Sequence, residues 1–336
     1  MGLKEEQILK GQSMNKESRK GDLGFLSLKI WPAIFIFLSI NCLLPSPAIA
    51  KERIRKPAVA GYFYPKDQEE LRETVDTYLS NVKQRQITGN ILGLISPHAG
   101  YVFSGQVAAY AYRQIRGKDY DTVIIIGPSH RVYLKGASVG NWDAYATPLG
   151  KITVNKEIAD ALLSLGEPFH FLEQAHIREH SVETQIPFLQ RALRSFDIVP
   201  IVMGTPSLKD CERISEALSK IVEKRNVLFV ASSDMSHYPD YVNATNVDRE
   251  TLSLVEKFDP ELLFHSEEKF LTKRIPNLST TLCGLSSVVT VMMTVRHLGG
   301  NAVNILHYAN SGDVTVHGHQ EKRRVVGYGA VALYKK

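Results

Sequence analysis

The sequence predicts an α/β fold, a three-layer sandwich in which helices cover both faces of a mostly parallel central sheet. Three observations predict it. Short runs of apolar residues recur along the chain, apolar on both faces, as buried strands are. Amphipathic stretches of helical period lie between them. The runs stop abruptly at Pro, Gly or Ser, which marks strand ends. Strands alternating with helices favour a parallel sheet with both faces covered.

Taken in chain order, Asp67–Val82 reads as a helix with apolar residues at Leu71, Val75, Tyr78 and Leu79. Ile91–Ser96 is the first strand and stops at Pro97; Ser104–Ile115 follows as a helix opened by a capping residue. Thr122–Ile126 is a second strand, ending at Gly127-Pro128. Gly136–Asn141 and Ile152–Val154 suggest a hairpin-like excursion. His180–Leu193 is a helix pattern, and Ile198–Met203 a strand that ends at Gly204. Ser207–Glu223 is helical, and Val227–Ala231 a strand running into Ser232-Ser233-Asp234. Asn243–Phe258 and Gly284–Leu298 are helices, and Val303–His307 and Val325–Leu333 close the chain as strands. One domain over residues 51–336 accommodates all of these.

Composition narrows the function. The chain is 44% hydrophobic and 22% charged, an ordinary globular balance that needs no disulfide staples. Its net charge of +5 falls to +3 once the six basic and four acidic residues of positions 1–50 are set aside. No basic run is interleaved with aromatics, so nucleic acid is not an expected partner. The longest cluster, Lys322-Arg323-Arg324, reads as solvated surface.

Residues 1–50 read as a signal peptide. Lys16, Arg19, Lys20 and Lys29 precede an apolar run from Ile30 to Leu44, and the segment ends in Ala48-Ile49-Ala50. The uninterrupted apolar part is short of the roughly 20 residues a membrane span needs, and Pro32, Asn41, Pro45 and Pro47 weaken it further. Export with cleavage after Ala50 is therefore expected; the alternative is an uncleaved segment that anchors the protein, the only membrane contact the sequence suggests. Met14 is a second candidate start, since residues 1–13 lengthen the basic region. Asn41 before Cys42 argues against a lipoprotein. Cleavage would leave Cys211 and Cys283, and nothing in their spacing requires a disulfide.

Three predicted strands end alike, in Ser96-Pro97-His98-Ala99-Gly100-Tyr101, Gly127-Pro128-Ser129-His130 and Ser232-Ser233-Asp234-Met235-Ser236-His237. Ligands bind at such strand ends in open parallel sheets. Their convergence would gather His98, His130, Asp234 and His237; neutral imidazoles ligate Zn, Cu or Fe, whereas a lone histidine more often serves as a hydrogen-bonded structural group. Cys283, in Thr280-Thr281-Leu282-Cys283-Gly284, sits just ahead of a helix. The positive end of the helix dipole would lower its pKa toward the thiolate; the plainer reading is a small buried hydrophobe. Glu179-His180-Ser181-Val182-Glu183 lacks the order of a metalloprotease motif, so His180 and Glu183 either orient ligands from behind or belong to an acidic first helical turn. His317-Gly318-His319 reads as a polar loop able to bind stray metal. No phosphate-binding or dinucleotide-binding glycine loop and no nucleophile elbow is present.

These residues carry a family resemblance. Arg55-Lys56-Pro57-Ala58-Val59-Ala60-Gly61-Tyr62-Phe63-Tyr64-Pro65 resembles the opening of the Memo family, also called AmmeMemoRadiSam system protein B. The Pro-His-Ala-Gly-Tyr, Gly-Pro-Ser-His, Glu-His-Ser-x-Glu, Ser-Ser-Asp-x-x-His and Thr-x-Cys-Gly elements follow in the family's order, then Tyr308-Ala309-Asn310-Ser311 and Val326-Gly327-Tyr328. The resemblance implies a fold similar to the class III extradiol dioxygenases. It implies one iron or copper ion on His98, His130 and Cys283, with His237 as acid/base and Asp234 in the same pocket. His180, Glu183, Tyr101 and Ser129 are then candidates for supporting or substrate-binding positions. A thiol in place of the dioxygenases' carboxylate softens the site, which favours copper or a redox role and argues against ring cleavage. The expected function is a metal-dependent oxidoreductase acting on a small molecule. The alternative is a metal carrier or peptide-binding module. Most relatives lack a signal peptide, and export would separate this chain from a cytosolic radical SAM partner.

Overall fold

The computed structural model describes residues 51–85, 87–204, 207–316 and 318–336. The predicted signal peptide, its cleavage after Ala50, the alternative start at Met14 and the histidine at 317 lie outside the described residues.

The chain runs β1 (Ile54–Arg55), α1 (Gln68–Ser80), β2 (Asn90–Ser96), α2 (Tyr101–Arg113), β3 (Thr122–Pro128) and β4 (Ala137–Val139). Then come β5 (Ala144–Thr147), β6 (Gly150–Thr153), α3 (Lys156–Ser164), β7 (Phe169–His170), α4 (Glu173–Ile177) and α5 (Ile186–Ala192). The second half holds β8 (Asp197–Met203), α6 (Leu208–Val222), β9 (Val227–Ser232), α7 (Tyr241–Glu256), α8 (Pro260–Thr272), α9 (Leu285–His297), β10 (Ala302–Asn310) and β11 (Gly327–Lys335).

Eight strands form the main sheet in the order β10-β11-β2-β9-β3-β8-β4-β7. The middle four, β2, β9, β3 and β8, are mutually parallel. They are the runs richest in Ile, Val and Leu, and Ile124, Leu94, Phe229 and Val230 on them are fully buried. β11 adds antiparallel to β2, and β10 to β11. Helix α2 covers one face, backed by α1 and α5; α9 covers the other, packed against α6 and α8. The predicted sandwich is thus the one observed. Among the described residues no helix is long and apolar enough to cross a membrane.

Several boundaries differ from expectation, each for a local reason. Residues 136–141 and 152–154 do not pair with one another. Ala137–Val139 joins the main sheet antiparallel to β8, while β5 and β6 form a separate hairpin whose outer partner is β1. α2 starts at Tyr101, not Ser104, whose hydroxyl instead donates back to the Ala99 carbonyl at 2.8 Å. The helix expected from His180 begins at Ile186 after a 3₁₀ turn over Glu183–Gln185. The amides of His180 and Ser181 are already donated to the Glu179 carboxylate, each at 2.9 Å. α8 was not predicted, although Asp259 caps it and Pro260 opens it, an ordinary helix start.

Candidate metal centre

β2, β9 and β3 are neighbours running the same way, so their carboxyl ends share one edge of the sheet. Two residues past those ends stand His98, Asp234 and His130. Cys283 reaches the same place from the turn before α9. That turn packs tightly: a Cβ on Gly284 would lie 2.6 Å from the Ser232 carbonyl oxygen, so only glycine fits. Gly127 admits the 180–181 turn in the same way, since a Cβ there would come within 2.6 Å of Ser181 Oγ.

His98, His130 and His180 each offer a ligand atom within 4.8 Å of the others, and so do His98, Asp234 and Cys283. His98 belongs to both groups. The ring centroids of His130 and His180 are 4.4 Å apart and those of His98 and His130 5.0 Å. The Cys283 sulfur lies 3.2 Å from His98 Nε2.

Hydrogen bonds fix which ring nitrogens are free. The Ser232 hydroxyl gives its one proton to the Ser181 carbonyl at 2.6 Å and accepts from the Gln185 amide at 2.8 Å. The Gln185 amide is itself oriented by the Pro97 carbonyl at 2.9 Å. His98 Nδ1, 2.9 Å from that same hydroxyl, must therefore be the donor, which leaves Nε2 bare. His130 Nδ1 lies 2.9 Å from the Glu179 carboxylate, which can only accept, so Nδ1 is the donor there and Nε2 is left without a protein partner among the described residues. Two imidazoles anchored through Nδ1 and presenting Nε2 is the arrangement metal-ligating histidines adopt.

Electrostatics agree with ligand chemistry. Burial and neighbouring His130 hold His98 well below the usual histidine range. Burial and the His98 ring push His180 down to about 3. Both rings are thus neutral at physiological pH, the form that ligates. Burial opposes the Glu179 charge, but the hydrogen bonds from the His130 ring and amide outweigh it and hold the carboxyl well below its ordinary value. The Cys283 thiol departs from expectation. Burial, then the Asp234 carboxylate, push it well above the ordinary thiol value. Its residue lies one place outside the Gly284 cap, and the helix end does not overcome those two effects. Cys211 is buried and both cysteines are free, so no disulfide forms.

Asp234 ties the turns together. Its carboxylate accepts from the His98 and Ala99 amides at 2.8 and 3.2 Å; its own amide donates to the Cys283 sulfur at 3.2 Å and its carbonyl accepts from the Cys283 amide at 3.3 Å. Burial raises its pKa. His237 lies on the same loop, its pKa lowered by burial, with Nε2 buried and unpartnered among the described residues.

Two predicted positions, Glu183 and Tyr101, fall elsewhere, whereas Ser129 lines the cavity beside His130. Glu183 is fully buried but pairs with Arg55 and accepts from the Ala58 and Val59 amides at 2.7 and 3.0 Å; it anchors the 55–64 segment and does not reach the histidines. Tyr101 donates to the Thr184 carbonyl at 2.6 Å and packs against Phe188, a structural role. The Ser129 hydroxyl donates to the Val132 carbonyl at 2.6 Å, shaping the turn beside His130. His180, expected behind the ligands, stands among the donors instead. Glu179, Ser232 and Gln185 orient the rings and were not singled out for that task. Their signal was position in the sequence: Ser232 opens the strand-end element that holds Asp234, and Glu179 and Gln185 bracket the segment that holds His180.

A cavity of about 390 Å³ opens beside His130 and Cys283. A second groove of about 480 Å³, around Tyr62 and Tyr78, lies along α1 and α2 and holds none of the metal-donor residues.

Comparison with known proteins completes the description. Residues 55–332 match the family model described as Memo-like protein. A MEMO1 family protein of Nitrosopumilus maritimus is 35% identical over 283 residues, covering 83% of this chain and 98% of that protein. One from Thermoplasma acidophilum is 34% identical over 278 residues, covering 82% and 97%, and one from Methanobrevibacter smithii 36% over 289, covering 82% and 98%. An uncharacterized Escherichia coli K12 protein of solved structure aligns at a TM-score of 0.45 with 12% identity over 70% of this chain and 99% of its own, too slight a likeness to argue from.

Proposed function

The chain belongs to the Memo-like protein family, and from that premise we propose that it holds one iron or copper ion on His98, His130 and Cys283 and works as a metal-dependent oxidoreductase. The observation that carries the proposal is the pair of imidazoles whose Nδ1 protons are committed to Ser232 and Glu179. The proposed set draws on both gathered groups, His130 from the one with His180 and Cys283 from the one with Asp234, with His98 common to them; two nitrogen donors with one sulfur suit a late first-row metal better than a hard cation. Bound there, the ion would supply Lewis acidity and electron exchange.

The chain's own residues do the rest. Ser232, Gln185 and Glu179 set the tautomers. Asp234 holds the His98 and Cys283 turns in register. His237, neutral and with an unpartnered Nε2, is the proton acceptor we assign, with the Asp234 carboxylate beside it favouring the protonated imidazole once formed. The reactant is a small molecule entering the cavity beside His130. We further propose export through residues 1–50, which would place this chemistry outside the cytosol.

A second reading, a metal carrier, is favoured by one observation. Cys283 is partly exposed beside the cavity, where a soft ion could be taken up and passed on. Metal analysis with iron and copper offered anaerobically tests both readings, on wild type and on His98→Ala, His130→Ala, His180→Ala and Cys283→Ser. Stoichiometric metal lost in the first, second and fourth variants supports the assignment. Loss in His180→Ala with retention in Cys283→Ser would make the set three histidines. No metal in wild type removes it. Oxygen uptake by the loaded protein with catechols or thiols then separates enzyme from carrier.

A further inference from the structure

We infer that the cavity beside the metal donors takes a small molecule with an oxyanion head, a carboxylate or phosphate, held by Arg131 and the first turn of α9. The inference deepens the oxidoreductase reading and rests on it only for placing the rest of that molecule next to the metal.

The cavity is lined by Arg131, Tyr133, Leu134, Met203, Cys283 and Ser286, together with the turn residues around His130, and no carboxylate faces it among the described residues. Arg131 is exposed and makes no ion pair among the described residues. Its planar fork of donors matches a carboxylate or phosphate. On the opposite wall α9 begins. It is a 13-residue helix with Gly284 at its cap, no side chain satisfying its first amides and no acidic residue in its first turn. Such an end offers free N–H donors and a positive potential. One side chain in that turn points to a missing partner. Ser286 is 97% buried, lines the cavity and makes no side-chain hydrogen bond among the described residues. Buried hydroxyls are normally satisfied, so a bound acceptor accounts for the arrangement better than an empty turn does.

Size and polarity define the rest of the ligand. About 390 Å³ holds a small organic molecule, not a folded partner. Leu134 and Met203 give apolar walls, and Tyr133, 75% exposed, forms an aromatic rim. An anionic head with an apolar or aromatic body fits this combination.

The test is titration of the full chain with benzoate and with inorganic phosphate, metal-free and metal-loaded, followed by calorimetry or NMR, with metal content measured in the same samples. Wild type is expected to bind at least one probe in both states. Arg131→Ala should weaken binding at least tenfold, Ser286→Ala severalfold, and Arg131→Lys should restore part of it. Tighter binding of benzoate identifies a carboxylate with an apolar body; tighter binding of phosphate identifies a phosphate monoester. Arg131 is exposed, so its variants should fold, which circular dichroism checks. If neither probe binds at millimolar concentration, or Arg131→Ala binds as wild type does, the inference is overturned. Stoichiometric metal alongside that result would leave the oxidoreductase reading standing. Arg131-dependent anion binding without any metal would overturn that reading and keep this one.

Discussion

The hydroxyl of Ser232 lies 2.9 Å from Nδ1 of His98, and its single proton is already committed to the Ser181 carbonyl. One side chain at the end of a central strand thereby decides which His98 nitrogen can meet a metal. Ser232→Ala should leave the fold intact and lower metal affinity by about 10- to 100-fold, the usual effect of losing a partner behind a ligand. Metal titration against a competing chelator measures it.

Glu179 plays the same part for His130, with more contacts at stake. Its carboxylate accepts four hydrogen bonds, from His130 twice and from the His180 and Ser181 amides. Its folded pKa lies below the unfolded value, so its contribution to stability is fully present above pH ~4.5 and is lost as pH falls through the folded pKa. Glu179→Gln should therefore be less stable than wild type at pH 7, and the gap should narrow on acidification. Urea unfolding of metal-free protein at pH 7 and below pH 4 tests this.

Asp248 runs the other way. It is fully buried without a cation, and burial raises its pKa from 3.8 to about 7. A raised carboxyl binds more protons folded than unfolded between those values, so its contribution falls as pH rises through that window. Asp248→Asn should gain stability relative to wild type between pH 5 and pH 8. A constant difference across that range would refute the assignment of a protonated carboxyl.

The Arg55–Glu183 pair is buried at both ends. Arg55→Met leaves an uncompensated carboxylate in the interior and should cost about 3–5 kcal/mol. Arg55 also donates to the carbonyl of Glu179, which anchors His130, so the fraction that remains folded should bind metal more weakly than wild type does. Chemical unfolding and metal analysis of the same variant separate the two effects.

Gly284, like Gly127, is a close approach in the centre. Gly284→Ala would set a methyl 2.6 Å from the Ser232 carbonyl oxygen and push the Cys283 turn outward. Overpacking of this kind costs about 1–3 kcal/mol. Metal affinity should fall with it, whereas Gly318→Ala on the exposed surface, where a Cβ meets nothing and only the positive φ of 80° is strained, should cost some stability and leave affinity unchanged.

The strands were legible because each is a β-branched run stopped by Pro, Gly or Ser, and their common direction followed from the helices between them. That put His98, His130 and Asp234 on one edge before any coordinates were needed. What periodicity could not supply was the direction of side chains leaving a turn. Glu179 and Glu183 are four residues apart, a spacing that a regular helix would place on one face. One holds His130 and the other holds Arg55, because the segment is a turn followed by 3₁₀ and not a regular helix. The thiol was misjudged for a related reason. Proximity to a helix start was visible in the sequence, while the burial that opposes it was not.

His98, Asp234 and His130 follow β2, β9 and β3, strands with neighbours on both sides in the middle of the sheet. Binding sites are usually drawn from the loosest parts of a fold, whose amides exchange with solvent first. Here the amides of His98, Ala99 and Asp234 are spent inside the sheet edge itself, on a carboxylate and a sulfur. They should be among the slowest to exchange, although an open cavity lies alongside. The donors are therefore held by the backbone bonds of the sheet edge itself, while the cavity beside them is already open.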